Sequence, residues 1–319
     1  MNQNSLFMGV DLGGTFIKFG LISNDGRILQ EHQIPTKIED GVQLVLDHIA
    51  EQVNRIQKSD TIQGMGIGVA GLVNPEKGIL CEAPNLPGWV NIPVADELHK
   101  RTSFQVAVDN DANVAALGEY AYGAGKGHPN MMMVTLGTGV GSGLILNGKL
   151  YQGAGGAAGE FGHISLQKDG PVCGCGRHGC VEAFVGTKGI LNRVQEKLNE
   201  GFPSVLSQID PNELAPKDIS DAAEKGDEVA ITVFREVGEY LGMGLGNVAN
   251  LLNLSRIVVG GGVAQAGDWI LKPARQRMKE VAMTTSGKMI DVVPARLGNK
   301  AGILGAARLV MDKRNELIV

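Results

Sequence analysis

Hydrophobic and polar positions along this chain alternate between two rhythms. Short apolar runs at 6–10, 16–22 and 28–34 are broken by Gly13-Gly14 and by Asn24-Asp25-Gly26, which predicts three strands joined as hairpins. Residues 40–57 place Val42, Val45, Leu46, Ile49, Val53 and Ile56 at the spacing of a one-sided helix. A buried strand is predicted at 64–69, followed by the turn-rich segments LVNPEKG and APNLPGW. A short helix led by Pro93 is predicted over 93–102, and a strand over 104–108 that ends in DNDAN. Next come a helix at 112–121, a strand at 131–136 running into GTGVGSG, and a strand at 144–146. The run Met131–Met133 reads as core. Helices are predicted at 187–199, 216–225 and 227–252, then a strand at 257–259 ending in GGGV. A helix at 268–283, a strand at 290–293 and a helix at 301–313 close the chain, and no low-complexity linker divides it.

Two stretches echo each other. MGVDLGGTFIKFGLISNDG at 8–26 and VTLGTGVGSGLILNGK at 134–149 each read strand, Gly/Thr turn, strand, then a turn with Asn and Gly. The echo predicts a duplicated α/β domain, each copy presenting a Gly-rich turn to a shared cleft with phosphates between the turns.

Composition narrows the setting. The 319 residues suffice for two moderate α/β domains, and 43% hydrophobic with 20% charged residues is ordinary for a globular protein. A net charge of −5 with no Lys/Arg stripe argues against nucleic acid as a partner. The N-terminus has no basic segment followed by an apolar one, so no secretory signal is expected. The longest apolar region, 241–263, is interrupted by Asn247, Asn250, Asn253 and Arg256 and reads as a buried helix and strand rather than a membrane span. The expected location is the cytoplasm, away from membranes, and Cys81 is expected to be an ordinary small residue. Glycine, at 46 residues, is the outlier and fits many tight turns and close backbone approaches.

The segment 160–182, EFGHISLQKDGPVCGCGRHGCVE, carries three of the four cysteines. Cys173, Cys175 and Cys180, with Gly174, Gly176 and Gly179 between them, can converge only if the loop wraps around something, and a tetrahedral Zn²⁺ fits. His163 is the expected fourth ligand and His178 the competitor. Four protein ligands would close the sphere, making the Zn²⁺ structural. A disulfide is the alternative, disfavoured without a secretory signal.

Gly13, Gly14 and Thr15, and Gly137, Thr138 and Gly139, form turns whose backbone N–H groups can make anion nests, with the two Thr hydroxyls adding donors. Neither is a Walker A loop, and an apolar strand rather than a helix follows each. One such turn alone would be an ordinary hairpin. Two matched copies plus Gly260, Gly261 and Gly262 point to a nucleotide. Asp11 at the first turn is placed to hold Mg²⁺ directly or through water. Lys18 is a nucleotide candidate whose alternation with Phe16 and Phe19 fits equally a solvated strand charge. Asp109, Asn110 and Asp111 follow an apolar strand at a helix start. One of the acids could serve as the helix N-cap, but an Asp beside an Asn also suits activation of a hydroxyl. Glu160, His163 and Glu182 suit a polyol.

In this order, DLGGT (11–15), DNDAN (109–113), LGTGVG (136–141), EFGH (160–163), CGCGRHGCVE (173–182) and GGGV (260–263) resemble the ROK family of repressors and sugar kinases, within the actin/hexokinase/Hsp70 superfamily. The resemblance runs from the first strand to the last helix and is greatest to the bacterial ATP-dependent glucokinases. It implies a two-lobed, actin-like ATPase of duplicated ribonuclease H-like α/β domains with a cleft between lobes. The small lobe is expected at 1–108 plus 301–319, and the large lobe with the zinc loop at 109–300. It implies phosphorylation of glucose at the 6-hydroxyl with ATP and Mg²⁺. Asp111 would be the general base, Asn110 would bind a neighbouring hydroxyl, and Glu160, His163 and Glu182 would grip the others, His163 also ligating zinc. Gly13–Thr15 and Gly137–Thr138 would hold the ATP phosphates, Gly260–Gly262 would approach the nucleoside, and Gly71 and Asn85 are further candidates on the sugar side. The family commonly dimerises, so a homodimer or higher homo-oligomer is expected. A sugar-responsive repressor would carry a helix-turn-helix ahead of the first glycine turn, and about ten residues precede Asp11 here. Kinases for N-acetylmannosamine, N-acetylglucosamine, fructose or allose, and a non-catalytic sugar sensor, are the remaining alternatives.

Overall fold

The computed structural model describes residues 5–56, 62–84 and 86–316, which form two compact units. Unit 1 comprises residues up to Pro129, Gly143–Gly159 and the chain from Arg296; unit 2 comprises Asn130–Ser142 and Glu160–Ala295.

Unit 1 opens with the strands β1 (Leu6–Leu12), β2 (Phe16–Ser23) and β3 (Ile28–Pro35), then helix α1 (Gly41–Ile56) and strand β4 (Ile62–Val69). Three short strands follow, β5 (Leu72–Asn74), β6 (Ile79–Glu82) and β7 (Val90–Ile92), then α2 (Val94–Thr102), β8 (Val106–Asn110) and α3 (Asp111–Tyr122). The main sheet has the order β3-β2-β1-β4-β8, with β1–β2–β3 antiparallel and β1, β4 and β8 parallel.

Period-two alternation sorts β1 between two layers. Met8, Val10 and Leu12 join Ile17, Phe19, Val45, Leu46, Ile49, Val53, Met65 and Ile67 in one buried cluster. Phe7 faces the other way, with Ile22, Ala107 and the buried residues Ile303, Leu304, Ala307 and Val310. The latter four belong to the last helix, α10 (Ala301–Glu316). Helix and sheet meet backbone to backbone: a Cβ on Gly9 would stand 1.9 Å from the Ile303 carbonyl oxygen, and one on Gly66 1.7 Å from that of Ala306. The Cα hydrogens of these glycines are what let α10 lie directly on the sheet.

Unit 2 contains β9 (Met131–Leu136) and the start of β10 (Val140–Leu146); the chain then enters unit 1 and forms β11 (Lys149–Leu150). It returns with α4 (Val181–Val185), α5 (Thr187–Asn199), α6 (Pro216–Glu224), α7 (Glu228–Leu252), β12 (Arg256–Gly260), α8 (Asp268–Val281), α9 (Thr284–Met289) and β13 (Asp291–Pro294). The second five-stranded sheet has the order β11-β10-β9-β12-β13, with β9, β12 and β13 parallel. Strand for strand it repeats the order of the first sheet. The internal echo is therefore a true duplication of the α/β plan. Met131, Met132 and Met133 are buried, as expected of core. Helix α7 packs on α8 through Gly238 and Gly242, whose added Cβ atoms would lie 2.5 Å from the carbonyl oxygens of Ile270 and Ala274.

Three expectations are corrected. The segments read as turns at 72–92 hold a three-stranded antiparallel sheet, β5-β6-β7, with strands too short to show a period. The short helices α4 and α9 were not expected. The boundary expected between 108 and 109 falls later, because α3 packs against α10: a Cβ on Gly305 would sit 1.7 Å from the Val114 carbonyl oxygen, and one on Gly118 2.5 Å from that of Ala301. The second boundary, expected at 300, lies at Arg296, whose N–H, with that of Leu297, donates to Glu119 Oε1 of α3 at 2.8 and 2.7 Å. No helix among the described residues is long and apolar enough to cross a membrane.

Candidate active site

In unit 1 the parallel register sets Asp11 opposite Gly68 and Gly68 opposite Asp109, so the C-terminal ends of β1, β4 and β8 lie side by side. That end of an open sheet is where ligands bind. Because Val10 and Leu12 point into the core, Asp11 faces α10, and a Cβ on Gly302 would be 2.7 Å from its Oδ2. A carboxylate in the first turn of a helix is favoured by the helix dipole. Lys18, the cross-strand partner of Asp11, donates to the same Oδ2 at 3.2 Å. Lys18 is thus neither a lone solvated charge nor unpaired.

The first glycine turn is closed by Gly13 N–H donating to the Phe16 carbonyl at 3.1 Å. Its outer carbonyls are held by Thr36, whose Oγ1 donates to Gly13 O at 2.7 Å and whose N–H donates to Thr15 O at 3.0 Å. Thr15 is exposed at the tip.

DNDAN ends β8 and opens α3. Asn110, rather than either Asp, is the N-cap: its Oδ1 accepts the N–H groups of Ala112 at 2.9 Å and Asn113 at 3.2 Å. Its Nδ2 donates to Gly71 O at 3.0 Å, so that carbonyl serves to orient Asn110. Asp109 is 1% exposed. Its Oδ1 accepts Asn110 N–H at 2.7 Å and Asn113 Nδ2 at 2.9 Å, and its Oδ2 accepts Gln152 Nε2. Burial pushes the Asp109 carboxyl above the usual carboxylate range. Asp111 begins α3, with Oδ1 accepting Ala112 N–H at 2.9 Å. Burial raises its pKa first, and the like charge of Asp11 raises it further. A carboxylate made more basic in this way suits proton abstraction. Asn85 lies outside the described residues.

In unit 2 the second turn is closed by Gly137 N–H donating to Gly139 O at 3.0 Å. Thr187, the first residue of α5, holds the Gly137 carbonyl twice, through its N–H at 3.0 Å and its Oγ1 at 2.9 Å. Thr138 is exposed, and a Cβ on Gly137 would meet nothing within 4 Å. Glu182, in α4, accepts Val140 N–H at its Oε2 (2.9 Å), while its Oε1 accepts from the Cys173 thiol at 3.3 Å. One side chain therefore ties the turn to the cysteine loop. Gly261, at φ +92°, lies against the Leu136 backbone at the end of β12, and Gly262 beside it is open.

Phe161 is seated against Gly244 of α7, which anchors the segment carrying Glu160 and His163. His163 Nδ1 is 3.7 Å from Cys173 Sγ, and its Nε2 is 3.9 Å from Glu160 Oε2. Cys175 and Cys180 have their sulfurs 3.8 Å apart, so they are free thiols rather than a disulfide. The ligand atoms of His163, Cys173, Cys175 and Cys180 all lie within 4.8 Å of one another. Tetrahedral Zn–S bonds of about 2.3 Å require sulfurs about 3.8 Å apart. The four residues fit that ion. His178 turns away, its Nδ1 3.0 Å from Gly170 O. Burial pushes the Cys173 thiol up to about 12 and also raises Cys180, while the Arg177 backbone N–H lowers Cys175. A cation at this cluster would therefore have to displace protons.

Sequence reasoning did not single out Thr36, Thr187 or Gln152. Thr187 is the first residue of α5, one past its N-cap Gly186, and its hydroxyl serves the distant Gly137 rather than its own helix, so no capping rule marks it. Thr36 and Gln152 lie in segments without a motif, and only the fold brings them to the site. The family model described as ROK matches residues 7–313. The chain is 39% identical to a glucokinase of Halalkalibacterium halodurans, across 98% of this chain and 96% of that protein, and 39% identical to a glucokinase of Streptomyces coelicolor, across 96% and 98%. It is also similar to a ROK family glucokinase from Streptomyces griseus solved in complex with glucose and AMPPNP, with 37% identity, TM-score 0.81, and coverage of 96% of this chain and 99% of that one. With the duplicated α/β fold of the actin-like ATPases and these full-length matches, the chain belongs to the ROK family.

Proposed function

We propose that this protein transfers the γ-phosphoryl group of ATP to the 6-hydroxyl of glucose. The observation that carries the reading is the setting of Asp111: a half-buried carboxyl of raised basicity at the C-terminal edge of a parallel sheet, next to the clasped Asn110. The full-length likeness to glucokinases, one of them bound to glucose and an ATP analogue, supports the choice of substrates. Asp111 takes the proton of the 6-hydroxyl as its oxygen attacks the γ-phosphorus, and ADP leaves. Asn110, fixed at both ends of its amide, orients Asp111 and the neighbouring hydroxyl. Glu160, His163 and Glu182 hold the remaining hydroxyls. Each glycine turn, in its own unit, offers phosphate the N–H groups not spent on closing the turn, and Gly262, with open space around it, lets the nucleoside approach.

Asp11 is the residue to hold Mg²⁺. With Oδ2 engaged by Lys18, a single carboxylate fits an ion that keeps most of its water, and Mg²⁺ would neutralise charge on the phosphates. His163, Cys173, Cys175 and Cys180 would hold a structural Zn²⁺ that cross-links the loop beside Glu182. The same reading has the protein acting in the cytoplasm as a homodimer or larger homo-oligomer, which light scattering measures. The test of function is a coupled assay of ADP release with ATP and Mg²⁺ across glucose, mannose, fructose, N-acetylglucosamine and N-acetylmannosamine. Preferred turnover of glucose is expected. Preferred turnover of an N-acetyl sugar would move the substrate, and a folded protein inactive on every sugar would overturn the kinase reading.

A further inference from the structure

The two glycine turns share more than their sequence echo: each has a threonine from elsewhere in its own unit bonded to its first glycine's carbonyl. In unit 1, Thr36 donates its Oγ1 to Gly13 O at 2.7 Å and its N–H to Thr15 O at 3.0 Å. In unit 2, Thr187 donates its Oγ1 to Gly137 O at 2.9 Å and its N–H to the same oxygen at 3.0 Å. The threonines come from unlike places, one just after β3 and one at the start of α5, about fifty residues downstream of its turn. Thr36 is 1% exposed.

Peptide geometry gives these bonds a consequence. A trans peptide unit is planar, with its C=O and the following N–H pointing in opposite directions. Holding the Gly13 carbonyl toward Thr36 therefore turns the Gly14 N–H the other way. Holding the Gly137 carbonyl toward Thr187 does the same for the Thr138 N–H. A glycine peptide otherwise flips readily, and a flipped unit would present a carbonyl oxygen to an anion. We propose that Thr36 and Thr187 are equivalent positioning residues, each in its own unit, that lock the peptide after the first glycine of the turn, so that Gly14 N–H in unit 1 and Thr138 N–H in unit 2 are each held outward for a phosphate. The proposal rests on the reading of the two turns as phosphate sites. Neither threonine touches the reacting atoms.

Thr36→Val and Thr187→Val remove the hydroxyl at nearly constant shape, and Thr36→Ser and Thr187→Ser restore it. One hydrogen bond of this kind corresponds to about a three- to tenfold change. Each Val variant is expected to raise KM for ATP by about that factor with KM for glucose unchanged, and each Ser variant is expected to return it to within about twofold of the parent. Thr187 is half-buried at a helix start, so its Val variant provides the test even if Thr36→Val fails to fold. Gly137→Ala separates the two layers of the argument. Its added methyl enters space with no protein atom within 4 Å, so it obstructs only a ligand at the turn. If Gly137→Ala raises KM for ATP while Thr187→Val does not, the locking role is overturned and the phosphate site stands. If Gly137→Ala leaves KM for ATP unchanged, the phosphate reading of that turn falls, and the locking role with it. A Val effect that Ser does not reverse, or that raises KM for both substrates alike, would also overturn the proposal.

Discussion

Asp109 is a demanding residue to replace, because its buried carboxyl receives three donors, all of them amides. Asp109→Ala would leave Asn110 N–H, Asn113 Nδ2 and Gln152 Nε2 without their acceptor in a site 1% exposed. Each stranded donor costs about 1–3 kcal/mol, partly relieved by water entering the gap, so a loss of about 3–5 kcal/mol is expected. Asp109→Asn keeps Oδ1 for two donors, and half a turn of the Gln152 amide would offer its oxygen to the new NH₂ group. Its cost is expected to stay within about 1 kcal/mol. Burial raises the Asp109 pKa above its unfolded value of about 3.9. The stability it contributes is then complete below that unfolded value and is lost as pH rises through the folded one. The stability of Asp109→Asn relative to the parent should therefore improve from about pH 4 to neutrality, across the range in which the parent ionises. Guanidinium unfolding followed by circular dichroism, at acidic and neutral pH, measures both effects. Because Asp109 fixes the first residues of α3, the Ala variant should also lose turnover at least tenfold through the displaced Asp111. A stability loss under about 1 kcal/mol with full turnover would refute this account of the DNDAN segment.

Other consequences are simpler to check. The acid limb of kcat/KM for glucose should fall above the pKa of a free Asp, about 3.9, because burial and Asp11 both raise Asp111 and only its ionised form accepts a proton; a pH–rate profile reads this. Gly305→Ala should destabilise by more than about 3 kcal/mol, since its Cβ would lie 1.7 Å from a backbone oxygen of α3 that no rotamer change can move; thermal melting measures it. Elemental analysis should find about one zinc per chain, and chelation or Cys180→Ser should lower the melting temperature and weaken glucose binding together, as expected of an ion closed by four ligands beside Glu182.

Much of this architecture was legible in the amino-acid order because it is local. The two hairpins announced a duplicated plan, and the repeated strand order of the two sheets matches it. The Cys/His spacing marked a cluster that the fold draws together, with His163 rather than His178 as its fourth member. What escaped is non-local or short. Strands of three or four residues at 72–92 show no period. The unit boundary depends on Gly118 and Gly305 meeting across the contact between α3 and α10. In DNDAN the residue types were readable but not their division of labour, with Asn110 capping the helix and Asp109 buried beneath it. That division depends on Gly71 and Gln152, each about forty residues away.

The central claim, that Asp111 is the base of an ATP-dependent glucose kinase, is tested most directly by comparing Asp111→Ala with the parent in the coupled glucose assay while measuring glucose binding by calorimetry. A positioned general base contributes about 10²–10⁴-fold. The account predicts a fall in kcat of at least that order with glucose binding retained. A variant that binds glucose and turns over at near the parental rate would contradict it.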